Sequence, residues 1–176
     1  MVTAAELLSV AAFLDGRFAQ AFPSFGSERT GAPVAAYCRL DDGEIRVREP
    51  IDRPDAIVIL DPTLLPYMDV FQGLGDGYVL INSRRTPEEL GLADLVRHQP
   101  PGRVRCVPAS DLARRLVGKP LPNAALLGAL AAETSYVSLD SVCAAIRERF
   151  SPTVGEKNAA AARAAHDMVR GGEAPC

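Results

Sequence analysis

Two short, uninterrupted aliphatic runs constrain the fold of this chain more than any other sequence feature. They lie at residues 56–60 (AIVIL) and 78–81 (YVLI), and residues 103–107 (RVRCV) form a weaker third candidate. Strands that are apolar on both faces are typical of a parallel sheet covered by helices on each side. The runs therefore predict parallel strands at the centre of an α/β fold.

Helix-forming segments separate and follow these strands. Apolar spacing, capping residues and terminal glycines predict helices over residues 3–14, 87–95, 110–117, 123–134, 139–150 and 156–170. Asn123 is the predicted N-cap of its helix. The strands thus alternate with helices early in the chain, and the C-terminal third is helical.

An antiparallel hairpin is predicted ahead of the aliphatic runs. Residues 34–40 and the alternating segment 44–48 (EIRVR) flank the turn sequence Asp41-Asp42-Gly43. Residues 18–25, which are aromatic and interrupted by Pro23, are assigned to no element. We therefore expect a single three-layer α/β domain over residues 1–176, with a mixed, mostly parallel sheet covered by helices and a loose tail at 171–176.

Composition and charge exclude several classes of function. The 19 basic and 22 acidic residues give a net charge of −3, so the chain offers no overall positive field for nucleic acid or an anionic membrane. No apolar run reaches the roughly 18 residues that a membrane span needs. The opening MVTAAE lacks the basic start of a signal peptide, which favours a cytoplasmic protein.

The cysteines indicate free thiols and no metal site. Cys38, Cys106, Cys143 and Cys176 include no C-x-x-C pair. Iron–sulfur and zinc sites usually draw on closely spaced ligands, so we expect this chain alone to bind neither. His98 and His166 are interpreted as ordinary histidines, and the glycine-rich stretch 73–77 as a tight loop, because it precedes a strand and opens no helix.

Polar residues follow two of the predicted strands directly. Asp61 and Thr63 come after the first aliphatic run, and Asn82 comes after the second. Open α/β sheets place their ligand sites at this carboxyl edge. The alternative is structural, with Asp61 capping the next turn and Asn82 closing a loop.

The segment 22–33 (FPSFGSERTGAP) is the most distinctive stretch of the chain. Gly26 and Gly31 flank Glu28 and Arg29, and Ser24 precedes them. A rigid loop that presents a carboxylate and a guanidinium suits anion recognition or a specific polar interface. The alternative is an ordered surface loop with a local ion pair.

These residues resemble the gamma subunit, or gamma domain, of the 2-oxoacid:ferredoxin oxidoreductases, which include pyruvate, 2-oxoglutarate, branched-chain and arylglyoxylate enzymes. Segment 22–33 carries the resemblance. Weaker matches follow in the family's order at Asp61-Pro62-Thr63, Leu80-Ile81-Asn82, Pro122-Asn123 and Glu156-Lys157-Asn158, so the resemblance covers nearly the whole chain.

The resemblance implies a structural, non-catalytic subunit of a larger enzyme. The complex would decarboxylate a 2-oxoacid oxidatively to an acyl-CoA and pass electrons to ferredoxin or, through a further subunit, to NAD. Its thiamine diphosphate, Mg²⁺, 4Fe–4S clusters and possible FAD would be held by thiamine-binding alpha and beta subunits and a ferredoxin-like subunit. This chain would bind no cofactor alone and would lie near the coenzyme A and substrate entrance. Ser24, Gly26, Glu28, Arg29 and Gly31 would face that entrance or a subunit interface.

Two other hypotheses remain open at this point. The chain could be an independent α/β enzyme that binds a small molecule at Asp61 and Asn82. It could also be a structural adaptor of an unrelated assembly.

Overall fold

The fold is described from a computed structural model, which covers residues 2–24, 34–47 and 49–172. The strands are β1 (Phe18–Ser24), β2 (Ala35–Asp41), β3 (Ala56–Ile59), β4 (Tyr78–Asn82) and β5 (Val104–Val107). The helices are α1 (Val2–Leu14), α2 (Ala93–His98), α3 (Ala109–Val117), α4 (Asn123–Thr134), α5 (Leu139–Arg149) and α6 (Pro152–Arg170), with a 3₁₀ turn at Pro62–Leu64.

The aliphatic runs form a parallel sheet, as their composition predicts. β4 lies between β3 and β5, with Ile57 opposite Val79 and Ile81 opposite Cys106. Val79, Leu80 and Ile81 are at most 1% exposed. The central strand is therefore covered on both faces, which accounts for its lack of polar alternation.

Each face of this sheet packs against a different layer. Val58, Leu80 and Val107 contact the large cluster formed by α1 and α3–α6. On the opposite face, Ile59 and Ile81 contact apolar side chains of the segment between β3 and α2 and of α2 itself, which include Leu65, Val70, Phe71, Leu74 and Leu95. The prediction of a three-layer α/β fold with a helical C-terminal third is confirmed.

The antiparallel strands pair differently from the prediction. β1 and β2 form a separate two-stranded sheet in which Phe18 lies opposite Asp41 and Ser24 opposite Ala35. The predicted pairing of 34–40 with 44–48 is wrong, since residues 44–47 are irregular. Pro23 conceals β1 in the sequence, since proline lacks a backbone N–H. An edge strand tolerates proline because the N–H groups on its outer side have no neighbouring strand to pair with.

Helix α4 is the centre of the helical layer. Ten of its twelve residues are buried, and α3, α5, α6 and α1 all contact it. Its bounds agree with the prediction, but Pro122 is the N-cap, so the assignment of Asn123 as the cap is wrong. The helix predicted over 87–95 is also wrong at its start, because residues 87–91 form turns and α2 begins at Ala93.

Candidate functional site

Asn82 joins three chain segments at the carboxyl edge of the parallel sheet. Its amide nitrogen donates hydrogen bonds to the Leu60 carbonyl and to the Ser110 hydroxyl, both at 2.8 Å. Its amide oxygen accepts from the Ser110 backbone N–H at 2.9 Å. The end of β3, the end of β4 and the first turn of α3 are thereby tied together, and both amide hydrogens are used internally.

Asp61 lies at the same edge and caps the 3₁₀ turn. Its carboxylate accepts hydrogen bonds from the Thr63 hydroxyl at 2.6 Å and from the Thr63 backbone N–H at 3.0 Å. These bonds hold the pKa of Asp61 below its usual range. The sequence analysis correctly predicted that Asp61, Thr63 and Asn82 share one sheet edge. Their side chains form hydrogen bonds within the local structure there.

An exposed ion-pair network flanks this edge. Arg84, two residues beyond β4, donates to both carboxylate oxygens of Asp111, at 2.5 and 2.6 Å. Arg114, which lies three residues after Asp111 in α3, donates to the same carboxylate at 2.8 Å. The hydrogen bond from Arg84 lowers the pKa of Asp111. The sequence analysis did not single out this network, because no sequence spacing relates Arg84 to Asp111.

The distinctive segment 22–33 is described only in part. Ser24 is the last residue of β1, pairs with Ala35 and is half-buried. Gly26, Glu28, Arg29 and Gly31 lie outside the described residues. The two strands that flank the segment are its anchors, because β1 leads into it and β2 follows it.

A cleft of about 630 Å³ is lined by residues from both sheets, from α1 and α4, and from the segment 51–55. Residues 36–40 of β2 line it, as do Ala56 and Val58 of β3 and Leu60 directly after that strand. Helix α4 contributes the apolar side chains of Leu126, Leu127 and Leu130. Charged residues also line the cleft, among them Arg17, Asp52, Arg53 and Asp55. The cleft is a product of tertiary packing, and no local sequence pattern could have predicted it.

The cysteine and histidine side chains form no metal site in the described part of the chain. Over residues 2–24, 34–47 and 49–172, no group of three or more histidine, cysteine or acidic side chains could hold a metal ion. Cys38, Cys106 and Cys143 are free, and burial raises the pKa of the Cys38 thiol to about 12. The donor set described therefore does not fit an iron–sulfur cluster or Mg²⁺.

The two histidines lie away from the carboxyl edge. The ring Nδ1 of His98 is 2.7 Å from the Asp94 carbonyl in its own helix. The ring Nδ1 of His166 is 3.1 Å from the Asp167 carboxylate.

None of the helices in the described ranges is long and apolar enough to cross a membrane.

The fold and the sequence together define the family. The model of the pyruvate ferredoxin/flavodoxin oxidoreductase family matches residues 1–168. The chain belongs to this family.

Curated relatives match over nearly their whole length. The common gamma subunit of the pyruvate/ketoisovalerate oxidoreductases of Thermococcus kodakarensis is 48% identical over 169 residues, which are 96% of this chain and 90% of that protein. The pyruvate synthase subunit PorC of Methanosarcina barkeri is 46% identical over 174 residues, which are 98% of this chain and 92% of that protein.

Solved structures show the same fold. The pyruvate oxidoreductase subunit PORC of Thermotoga maritima has a TM-score of 0.76 and 31% identity, and the similarity covers 94% of this chain and 88% of that one. The gamma subunit of a keto/oxoacid ferredoxin oxidoreductase from Geobacter sulfurreducens, at 22% identity and a TM-score of 0.65, supports the fold alone.

Proposed function

We propose that this chain is the gamma subunit of a multi-subunit oxidoreductase that converts a 2-oxoacid to an acyl-CoA. The observation that carries the proposal is the match to gamma and PorC subunits over about 90% of their length. A chain that aligns with nearly the whole length of its relatives can occupy the same place in a complex. Residues 1–176 then act as one gamma-type domain.

The proposal assigns the redox chemistry to other subunits. Thiamine diphosphate, Mg²⁺, 4Fe–4S clusters and a possible FAD would be held by thiamine-binding alpha and beta subunits and a ferredoxin-like subunit. Ferredoxin, or NAD through a further subunit, would accept the electrons in the cytoplasm.

The role of this chain in the proposal is to shape the complex near the coenzyme A and substrate entrance. Segment 22–33 would face that entrance or a neighbouring subunit. Glu28 and Arg29 would be its charged groups, and Ser24, Gly26 and Gly31 would determine its backbone conformation. Arg29 would attract an anion, either a coenzyme A phosphate or a substrate carboxylate. The use of Asn82 and Asp61 in internal hydrogen bonds makes an independent ligand site at that edge the weaker hypothesis.

The Arg29→Ala variant tests this role in the assembled complex. We expect the KM for coenzyme A or for the 2-oxoacid to rise about ten- to hundredfold, because one charge-assisted hydrogen bond contributes about 1.5–3 kcal/mol. The assay is 2-oxoacid-dependent reduction of a viologen dye under anaerobic conditions. Arg97→Ala is the matched control, because Arg97 pairs with Asp94 on the exposed surface of α2. Unchanged KM values together with unchanged assembly would contradict the role of Arg29.

A further inference from the structure

The exposed face of α3 is basic, although the chain as a whole is acidic. Arg114 and Arg115 lie on this face, Lys119 follows just after the helix ends, and Arg84 reaches the face from beyond β4. All four residues are exposed. We call these four side chains the α3 basic surface. Asp111 is the one acidic residue of the helix, so the surface has a net charge of +3 with Asp111 included, in a chain of net charge −3.

The packing of α3 directs these charges away from the molecule. Leu112 and Ala113 are at most 4% exposed, and α3 contacts α4 and α6. The apolar side of the helix is thus used by the core of this chain. The opposite side, with its cations, is available to another molecule.

The surface has more donors than the described part of the chain can satisfy. Arg84 donates through Nε and Nη2, and Arg114 through Nη1, to the single carboxylate of Asp111. The Nη1 group of Arg84 and the Nε and Nη2 groups of Arg114 have no partner among the described residues. Arg115 and Lys119 form no salt bridge with any described acidic side chain, unlike Arg84 and Arg114. Additional carboxylates would therefore find unused donors here.

The surroundings of these cations favour a protein as the partner. A guanidinium binds a carboxylate through two parallel hydrogen bonds, which suits aspartate and glutamate side chains. Asp111 within the surface and Asp61 at the end of the neighbouring strand would repel an extended polyanion such as nucleic acid. Leu121, two residues after Lys119, is 54% exposed and adds an apolar side chain of the kind that protein interfaces bury. Exposed side chains on a helix enclose a small ligand poorly.

We propose that the α3 basic surface docks an acidic face of another subunit of the 2-oxoacid oxidoreductase complex. The inference rests on the proposed function, which supplies the neighbouring subunits. Carboxylates of the partner accept hydrogen bonds from the unused donors of Arg84 and Arg114 and pair with Arg115 and Lys119. Complementary charges of this kind fix the orientation of two proteins and accelerate their association.

Carbodiimide crosslinking of the anaerobically purified complex tests the position of this surface. The reagent joins a lysine amine directly to a carboxylate, so it links only groups that are already in contact. The chain has two lysines, Lys119 and Lys157, and Lys119 belongs to the α3 basic surface. We expect mass spectrometry of the peptides to show Lys119 joined to an aspartate or glutamate of another subunit. Lys119 joined only to carboxylates of its own chain would overturn the inference.

A pair of charge-reversal variants tests the energetic role of the surface. The Arg115→Glu/Lys119→Glu variant changes the two cations that form no described salt bridge, so the Arg84–Asp111–Arg114 network stays intact. The matched control is Arg149→Glu/Lys157→Glu, which changes the charge equally at exposed positions of α5 and α6. Each variant is produced within the complex, and native mass spectrometry over a dilution series measures the fraction of complexes that retain this chain.

The Kd of the chain for the rest of the complex should rise about tenfold in the α3 variant and less than about twofold in the control, because like charges across an interface repel. Equal Kd values in an assembled complex would overturn the inference and leave the proposed function standing. Failure of the unmodified chain to form any complex would contradict the proposed function and this inference with it. If assembly is unchanged, and vesicles of an anionic phospholipid bind the unmodified complex but not the α3 variant, the partner is a membrane and the assignment is wrong.

Discussion

At the residue scale, the hydrogen bonds of Asn82 organise the carboxyl edge of the parallel sheet. Three of its bonds reach Leu60 and Ser110, which are 22 and 28 positions away in the chain. Satisfied, partly buried amide groups of this kind fix the relative positions of the elements that they join. The sequence placed Asn82 at this edge, because a residue that follows a buried strand must lie there. It could not show the partners, because they depend on how α3 docks.

The Asn82→Ala variant should destabilise the fold without unfolding it. It leaves the Ser110 backbone N–H and the Leu60 carbonyl without this partner, and we expect a loss of about 1–3 kcal/mol. Urea unfolding monitored by circular dichroism measures the change. Asn82→Asp is the control, since its carboxylate can still accept from the Ser110 N–H while both amide donors are lost. If Asn82→Ala were as stable as the unmodified chain, these hydrogen bonds would contribute nothing to the stability of the fold, contrary to the account.

Asp15 joins the end of α1 to the beginning of α5. Its carboxylate accepts from the Ser138 N–H at 2.6 Å, the Ser138 hydroxyl at 2.7 Å and the Ser141 hydroxyl at 2.6 Å. Partial burial raises the pKa of Asp15, but these bonds outweigh that effect and the pKa lies below the ordinary value. The ionised carboxylate is thus favoured in the folded state.

The Asp15→Asn variant should reveal this linkage to pH. A lowered folded-state pKa adds stability above the ordinary carboxyl pKa of about 4, and this stability is lost as the pH falls through the lowered value. Because the residue is largely exposed, we expect a difference of only about 1 kcal/mol between the two proteins at pH 7, and a smaller one at pH 3.

Urea unfolding at both pH values measures that difference. Asp42→Asn, which removes an exposed ion pair with Arg17, is the control and should cost less than about 0.5 kcal/mol at pH 7. A difference between Asp15→Asn and the unmodified chain that grows on acidification would contradict the account.

At the element scale, the helices were easier to predict than the strand pairing. The apolar positions of α5 recur at helical spacing, and α4 is a run of alanine and leucine, which favour helices, so both signals are local to their segments. The pairing of β2 with β1 depends on tertiary contacts, such as those of α1 with both strands. A short stretch of sequence does not show such contacts. The alternation at 44–48 was therefore mistaken for a strand, while Pro23 concealed β1.

Close approach of α4 and α6 depends on Gly128. A methyl group at this position would lie 2.6 Å from the carbonyl carbon and 2.7 Å from the Cα of Ala162. Contacts this short are not sustained between carbon atoms, so one helix would have to move. The small residues of α6, such as Ala161 and Ala162, allow the backbones to come this near.

Gly128→Ala should therefore destabilise the helical layer by about 1–3 kcal/mol or more, despite the higher helix propensity of alanine. Thermal unfolding followed by circular dichroism measures the effect. Gly75→Ala is the matched control, because its added methyl group meets no atom within 4 Å. A melting temperature for Gly128→Ala equal to that of the control would contradict the close packing described here.

At the scale of the whole molecule, the sequence established the family and the fold class but not the surfaces. The aliphatic runs and helical periodicities sufficed for a three-layer α/β fold, and segment 22–33 sufficed for the resemblance to gamma subunits. The cleft between the sheets and the Arg84–Asp111 network arise where distant segments meet. Such features depend on tertiary packing, which local patterns do not encode.

The central claim is that this chain functions within a multi-subunit 2-oxoacid oxidoreductase. The most direct test is native mass spectrometry of the chain purified anaerobically from its source. We expect a hetero-oligomer that contains this 18.7 kDa chain together with subunits bearing thiamine diphosphate and iron–sulfur clusters. A stable monomer or homodimer without such partners would contradict the claim.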